Sequence, residues 1–414
     1  MSELSRPLSI YIIAGEESGD ALGAALARAL TEQAAGAIKL AGVGGRAMAA
    51  QGIVSPFPID DLSVVGLTAI PRKLPKILAH IREATQAVFA ARPDALVIVD
   101  SPDFTHRVAR RVRQIIPSIP ILDYVSPSVW AWRPGRARAM RTYIDRVLAI
   151  LPFEPGAYVR LKGPPCSYVG HPLIERLAEL RPNLQEAARR QGGPPLILAL
   201  PGSRSTEIRR HIDIFGAALD QVAARTGSTG NRMEIVLPTV PHLASRVREA
   251  VAGWTIAPRI VVDPAEKWAA FRSARAALAA SGTVTLELAL SGVPTVAAYR
   301  LHRFEAIIAR MIRIQSRLPS VILANLVLGE NAVPELIQED CTPDRLAKAL
   351  LPLLAESPDH ARQVAAFGRL DAIMGIGGVA PSAQAARIVL DVARQAAEAM
   401  PLADPDRTPR TRRS

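Results

Sequence analysis

The chain has 414 residues, enough for two or three domains rather than one small module. With 49% hydrophobic and 21% charged residues it can bury a sizeable core, which excludes a disordered chain. Its formal charge of +12 rests almost wholly on arginine, since lysine stands only at positions 39, 73, 76, 162, 267 and 348, and so predicts an anionic partner: nucleic acid, anionic lipid or a nucleotide.

The first apolar run, residues 8–14, is too short for a secretory signal and meets Glu16 and Glu17 where a cleavage site would stand, which predicts a cytoplasmic location. It reads as a strand, followed by a helix over 20–31, a short strand at 38–41, a helix around 74–90 and a strong strand at 95–99. Two more strands are expected at 121–125 and 147–151. The alternation restarts after a Pro- and Gly-bearing connector at 181–195. There a strand at 196–200, a helix at 208–224 and a strand at 234–237 precede a helix at 242–251, a strand at 259–262 and a helix at 265–273. Residues 276–299 carry one charge, Glu287, but Ser281, Gly282, Ser291, Gly292 and Pro294 interrupt them, so they read as strand, loop, helix and strand rather than a membrane span. Helices are expected at 344–355 and 383–399, and a disordered basic tail at 404–414. The fold class is therefore α/β: two Rossmann-like doubly wound domains facing a cleft, with C-terminal helices. We place an N-terminal domain at 1–180, a second at 195–355, and C-terminal helices at 356–403 that cross back to the first. Two cysteines, Cys166 and Cys341, provide neither a disulfide framework nor a four-ligand zinc site.

In such sheets, ligands bind beyond the carboxyl ends of the strands. After the first strand stand Glu16, Glu17 and Ser18, with Ser18 or Asp20 able to cap the next helix. Asp100 ends the strand at 95–99, where a rigid carboxylate is placed to act as a general base, whereas Asp103 suits turn formation better. In the second half, Gly202-Ser203-Arg204 and Ser281-Gly282-Thr283 are two strand-to-helix joints suited to a diphosphate. Glu287, one helical turn beyond Thr283, is placed to accept from ribose hydroxyls. Together these features point to glycosyl transfer from a nucleotide sugar. The run Gly42-Val43-Gly44-Gly45-Arg46-Ala47 matches a dinucleotide-binding pattern, but the helix it would open stops at Gly52, so no such cofactor is expected.

Several blocks match a known family in order. They are Ala14-Gly15-Glu16, Asp100-Ser101-Pro102-Asp103-Phe104, Ser126-Pro127-Ser128-Val129-Trp130-Ala131-Trp132-Arg133, Leu151-Pro152-Phe153-Glu154, Gly170-His171-Pro172, Pro201-Gly202-Ser203-Arg204, Ser281-Gly282-Thr283 and Pro334-Glu335-Leu336-Ile337-Gln338. Over nearly its whole length the chain resembles the lipid-A-disaccharide synthase family of GT-B glycosyltransferases. The resemblance implies transfer from UDP-2,3-diacylglucosamine to 2,3-diacylglucosamine 1-phosphate (lipid X), with inversion to a β(1→6) disaccharide and release of UDP. It further implies Asp100 as the base, with Glu16, Ser18 and Asp103 on the acceptor side. Ser203, Arg204, Ser281, Gly282, Thr283, Glu287, Asn325 and Glu335 would serve the nucleotide, with no metal and no cofactor. Where the family usually has Leu-Pro-Asn, this chain has Leu323-Ala324-Asn325.

Acylated substrates imply peripheral contact with the cytoplasmic face of the inner membrane. Val64, Val65, Leu67, Ile70 and Leu74, interleaved with Arg72, Lys73 and Lys76, are the candidate docking residues. Arginines 107, 110, 111 and 113, and again 133, 136, 138 and 141, offer a basic surface for substrate phosphate or anionic lipid. No nucleic-acid partner is expected, because no binding motif or stacking platform accompanies these arginines. A homodimer with C-terminal exchange is a further implication of the resemblance. The alternatives are a UDP-sugar epimerase, a transferase for another lipid acceptor, or a binding module without catalysis.

Overall fold

Parallel pairing dominates the structure, a computed structural model that describes residues 6–35, 38–62, 70–226, 233–300 and 319–399. Two compact units divide the chain: residues 1–172 with 379–414, and residues 173–378.

In the first unit, β1 (Leu8–Ala14), β2 (Ile38–Val43), β3 (Ala95–Val99), β4 (Ile121–Tyr124), β5 (Arg146–Ala149) and β6 (Cys166–Tyr168) form one sheet in the order β2-β1-β3-β4-β5-β6. β3 and β4 are buried at every position, as strands covered on both faces must be. Alternate residues of β3 serve opposite faces. Ala95, Val97 and Val99 join the core beneath helix α1 (Glu17–Gln33), and Leu96 and Ile98 join the one formed with helices α3 (Ile70–Ala91) and α4 (Thr105–Ile115). Between them lies a single turn, α2 (Arg46–Ala49), and further along come the short α5 (Gly135–Met140) and α6 (Glu154–Arg160). The edge strand β6 was not expected, because its three residues carry no periodicity.

The Gly42–Ala47 run is committed internally. Asp20, buried on α1, accepts from the backbone N–H groups of Gly45 (2.7 Å), Ala47 (2.8 Å) and Met48 (3.0 Å). Its carboxylate thus occupies the place a phosphate would take. A Cβ on Gly45 would lie 2.7 Å from Asp20 Oδ2, so glycine is required for the approach. Asp20 therefore caps α2 and not its own helix, and neither it nor Ser18 caps α1.

The second unit pairs β7 (Leu196–Leu200), β8 (Glu234–Pro238), β9 (Arg259–Val261), β10 (Ala276–Ala280), β11 (Thr295–Tyr299) and β12 (Glu335–Ile337) in the order β12-β11-β10-β7-β8-β9. The stretch 181–195, expected as a connector, belongs to this unit. After the one-turn α7 (Leu177–Leu180), Asn183 and Glu186 form a reciprocal cap on α8 (Leu184–Gln191). Arg190 of α8 donates to the carbonyls of Phe271, Arg272, Ser291 and Gly292, which lie at the ends of α11 (Pro264–Ser273) and α12 (Val284–Leu290). Between β7 and β8 runs α9 (Ser205–Thr226), and between β8 and β9 lies α10 (Ala244–Ala250). Then α13 (Leu323–Leu328), α14 (Pro343–Leu350), α15 (Pro358–Gly368) and α16 (Leu370–Met374) complete the unit.

The 356–403 stretch is shared between the units, since α15 and α16 stay with the second and only α17 (Pro381–Ala399) lies on the first. The face Ala385, Ala386, Val389, Leu390 and Ala393 follows helical spacing and packs with α1 and β3 in one core. Burying each of the two larger side chains contributes about 1.5–3 kcal/mol. The tail at 404–414 lies outside the described residues.

Replacing Asp20 by alanine strands three buried or half-buried N–H groups. Losing even one such partner costs about 1–3 kcal/mol, so the first transition in urea unfolding, followed by circular dichroism, is expected to move to clearly lower denaturant.

Candidate active site

In the first unit the strand order reverses between β1 and β3, where the chain leaves one strand upward and the next downward in sheet order. Glu16 and Ser18 follow β1, and Asp100 follows β3. The side chains converge: Ser18 Oγ lies 3.0 Å from Glu16 Oε1 and 3.4 Å from Asp100 Oδ2. Asp100 and Ser101 both take left-handed backbone conformations, with φ of 50° and 45°, which are costly for residues other than glycine. Four bonds hold that turn. Asp100 N–H donates to Tyr124 O (3.0 Å), Thr105 Oγ1 donates to Asp100 O (2.7 Å), Ser101 N–H donates to Asp100 Oδ1 (2.7 Å), and Phe104 N–H donates to Ser101 O (2.9 Å). Asp100 thus keeps Oδ2 turned to Ser18 on a backbone fixed to both the neighbouring strand and α4. Asp103 is exposed on the same turn and does not cap α4.

The loop after β4 carries Ser126 to Arg133 and is braced from below by Glu154. This carboxylate, almost wholly buried, accepts from Leu151 N–H (3.0 Å) and from the Trp130 indole (3.2 Å), while Ser126 Oγ meets Tyr158 Oη at 2.7 Å. Desolvation pushes the Glu154 pKa up to about 7, against these hydrogen bonds, which favour the charged form. Sequence reasoning gave Glu154 no role. Trp130 packs edge-on to Phe153, whereas Trp132 is 42% exposed and stacks with Arg133.

In the second unit the reversal falls between β7 and β10, and a pocket of about 640 Å³ opens there. Ser203, Arg204, Ser281, Gly282, Thr283 and Glu287 all line it, so the structure brings together six of the eight residues expected around the nucleotide. The ends of β8 and β9 complete the wall with Thr239 and Asp263, α11 adds Lys267 and Trp268, and Arg176 joins from the segment before α7. Lys267 Nζ lies 3.2 Å from Glu287 Oε2 and 3.9 Å from the Trp268 ring centroid, leaving a cation beside an indole face. The sequence does not announce these residues, because the ends of β8 and β9 carry no Gly-Ser or Ser-Gly joint. One of six lysines directly before one of four tryptophans was the available signal.

The β7–α9 joint differs from expectation in its hydrogen bonding. Glu207 Oε2 accepts from the N–H groups of Ser203 (3.1 Å) and Arg204 (3.3 Å), so these donors are already spent internally. Gly202, at φ 123°, lies so close that a Cβ would meet Glu207 Cβ at 2.5 Å. Arg204, 80% exposed, pairs with Glu207 at 2.9 Å and keeps most of its donors for solvent or ligand. His211 braces the turn from behind, with Nε2 accepting from Arg300 N–H (3.0 Å) and Nδ1 beside Pro201 O (2.9 Å).

Asn325 and Glu335 do not line this pocket. Asn325 is buried, donates to Val333 O (2.9 Å) and Glu335 Oε1 (2.7 Å), and accepts from Val333 N–H (2.9 Å). Glu335 also accepts from Val321 N–H (3.1 Å), and Val321 O accepts from Ser281 Oγ (3.1 Å), so the pair holds the Ser281 loop indirectly. Ala324, where proline was expected, is wholly buried inside α13.

Comparison with known proteins decides the family. The sequence profile described as Lipid-A-disaccharide synthetase matches residues 10–380. The chain belongs to the lipid-A-disaccharide synthetase family. It is 59% identical to the lipid-A-disaccharide synthase of Rhodopseudomonas palustris strain BisB18 over 94% of this chain and 97% of that one, and 58% identical to that of Bradyrhizobium diazoefficiens over 93% and 97%. Among solved structures, MurG of Acinetobacter baumannii aligns with a TM-score of 0.55 at 18% identity, over 93% of this chain and all of that one. A UDP-GlcNAc 2-epimerase from Neisseria meningitidis aligns at 0.57 and 12%, over 94% and 100%. These likenesses show the fold alone, that of GT-B proteins. Among the described residues no cluster of His, Cys, Asp and Glu is grouped to hold a metal ion, and no helix is long and apolar enough to cross a membrane.

Glu154 predicts a pH effect. Because its folded pKa lies above the ordinary 4.5, the native state holds a proton that the unfolded chain releases, and stability falls as pH rises from about 4.5 to 7. His171, pushed down to about 4 by burial, works in the opposite sense, so the readout is the difference between proteins. Glu154→Gln is expected to gain stability relative to wild type as pH goes from 5 to 8 in parallel thermal melts.

Proposed function

We propose that this protein transfers the 2,3-diacylglucosaminyl group of its UDP derivative to the 6-hydroxyl of 2,3-diacylglucosamine 1-phosphate, giving the β(1→6) disaccharide phosphate and UDP. The observation that carries the reading is Asp100 at the strand-order reversal of the first unit, in a chain of this family. Asp100 is half exposed, held by a fixed turn, and accompanied by Ser18 and Glu16.

The acceptor oxygen attacks the anomeric carbon as the bond to the β-phosphate oxygen breaks, and Asp100 takes the hydroxyl proton. One displacement inverts an α donor to a β product. The negative charge that develops on UDP is met by Arg204 and Lys267, the latter held over the buried Trp268 ring. Ser203, Ser281, Gly282, Thr283 and Glu287 line the same pocket, with Glu287 placed by Lys267 to accept from ribose hydroxyls. Asn325 and Glu335 serve by bracing the Ser281 loop. The epimerase alternative has in its favour only fold neighbours of 9–14% identity, which carry no function.

Acylated substrates place the reaction at the cytoplasmic face of the inner membrane. Val64, Val65 and Leu67 lie outside the described residues, as does the side chain of Ile70. Leu74 is 41% exposed on α3. A homodimer with C-terminal exchange belongs to the same proposal, and α17, docked on its own chain's first unit, is the segment that would move.

Asp100→Ala is expected to lower UDP release by about 10²–10⁴-fold with UDP affinity unchanged. Lys267→Met should weaken UDP binding by about tenfold or more in calorimetric titration. A variant of Asp100 that retains full turnover would refute the mechanism. Val64→Glu combined with Leu67→Glu is expected to reduce flotation with anionic vesicles.

A further inference from the structure

Most arginines of the first unit with a described partner are neutralised or solvated. Arg6 pairs with Asp94, Arg113 with Asp145, and Arg133 lies exposed on Trp132. Arg111, Arg136 and Arg146 are half buried with no carboxylate partner among the described residues, and what sets Arg136 apart is the turn it bonds. Arg136 sits in the first turn of α5, half buried, and its single side-chain bond runs from Nη2 to the carbonyl of Pro102 at 3.1 Å. A guanidinium has five N–H donors, and here no carboxylate among the described residues takes any of the others. A cation drawn partly out of water without a counter-charge is costly, and a bound anion offsets that cost.

The place of that bond indicates which anion. Pro102 follows Asp100 by two residues on the same pinned turn, so Arg136 is tied to the turn that carries the carboxylate facing the attacking hydroxyl. A sugar whose 6-hydroxyl reaches Asp100 extends its anomeric substituent across one ring width, and on the acceptor that substituent is a phosphate monoester. We propose that Arg136 binds the 1-phosphate of the acceptor and thereby selects phosphorylated over unphosphorylated acceptors. This rests on the function proposed above. The planar fork suits two phosphate oxygens at once, while the Pro102 carbonyl fixes its orientation.

The test is steady-state UDP release with saturating donor and the acceptor supplied with or without its 1-phosphate. Arg136→Gln removes the charge yet keeps a donor for Pro102, which protects the turn. It is expected to lower kcat/KM for the phosphorylated acceptor by about 10–100-fold, leave the phosphate-free acceptor within about twofold, and leave the donor KM unchanged. Arg136→Lys should restore part of the loss. An equal loss on both acceptors would make Arg136 a brace of the turn only, and a raised donor KM would assign it to the donor diphosphate; either result overturns the inference. Wild-type protein that releases UDP with neither acceptor would instead overturn the proposed function, and the inference with it.

Discussion

Parallel strand pairing is the constraint from which the rest follows. A parallel neighbour can be reached only by a crossover, so helices cover both faces, the central strands β3, β4, β7 and β10 are buried at every position, and the carboxyl ends of all strands in a sheet share one edge. Where the order reverses, between β1 and β3 and between β7 and β10, adjacent loops diverge to opposite faces and leave room for a ligand. Asp100 with Ser18 occupies the first of these places and the 640 Å³ pocket the second.

Within that frame, the allocation of backbone donors decides which glycine loop remains available. Three loops have the composition of anion sites, and in two of them a carboxylate of the chain takes the N–H groups. Asp20 fills the Gly45–Met48 turn and Glu207 fills the Ser203–Arg204 turn. The first is closed by this. The second still presents an exposed guanidinium, with Lys267 across the pocket, so charge there comes from side chains more than from amides.

A buried acid, Glu154, and a half-buried one, Glu335, hold loops of the site from behind. Glu154 ties the Trp130 loop to the start of α6, and Glu335 with Asn325 ties the Ser281 loop to β12. Such groups are costly to bury unless their hydrogen bonds are made, which is why each accepts from two or more donors.

By itself the sequence determined the alternation of strands and helices, the parallel character of both sheets, the family, and the strand ends at which Asp100, Arg204 and Thr283 stand. Those are local properties: apolar runs of strand length, small residues at joints, and ordered blocks of identity. The tertiary structure alone decided strand order, the sharing of 356–403 between two units, the three-residue edge strands β6 and β12, and the partners of each polar group. Asp20 and Glu207 became internal counter-anions, and Asn325 and Glu335 became braces, because hydrogen-bond satisfaction depends on residues far apart in the chain. The +12 charge illustrates the difference: composition announces an anionic partner, but only the folded chain distinguishes an arginine already paired, such as Arg113, from one left open, such as Arg136.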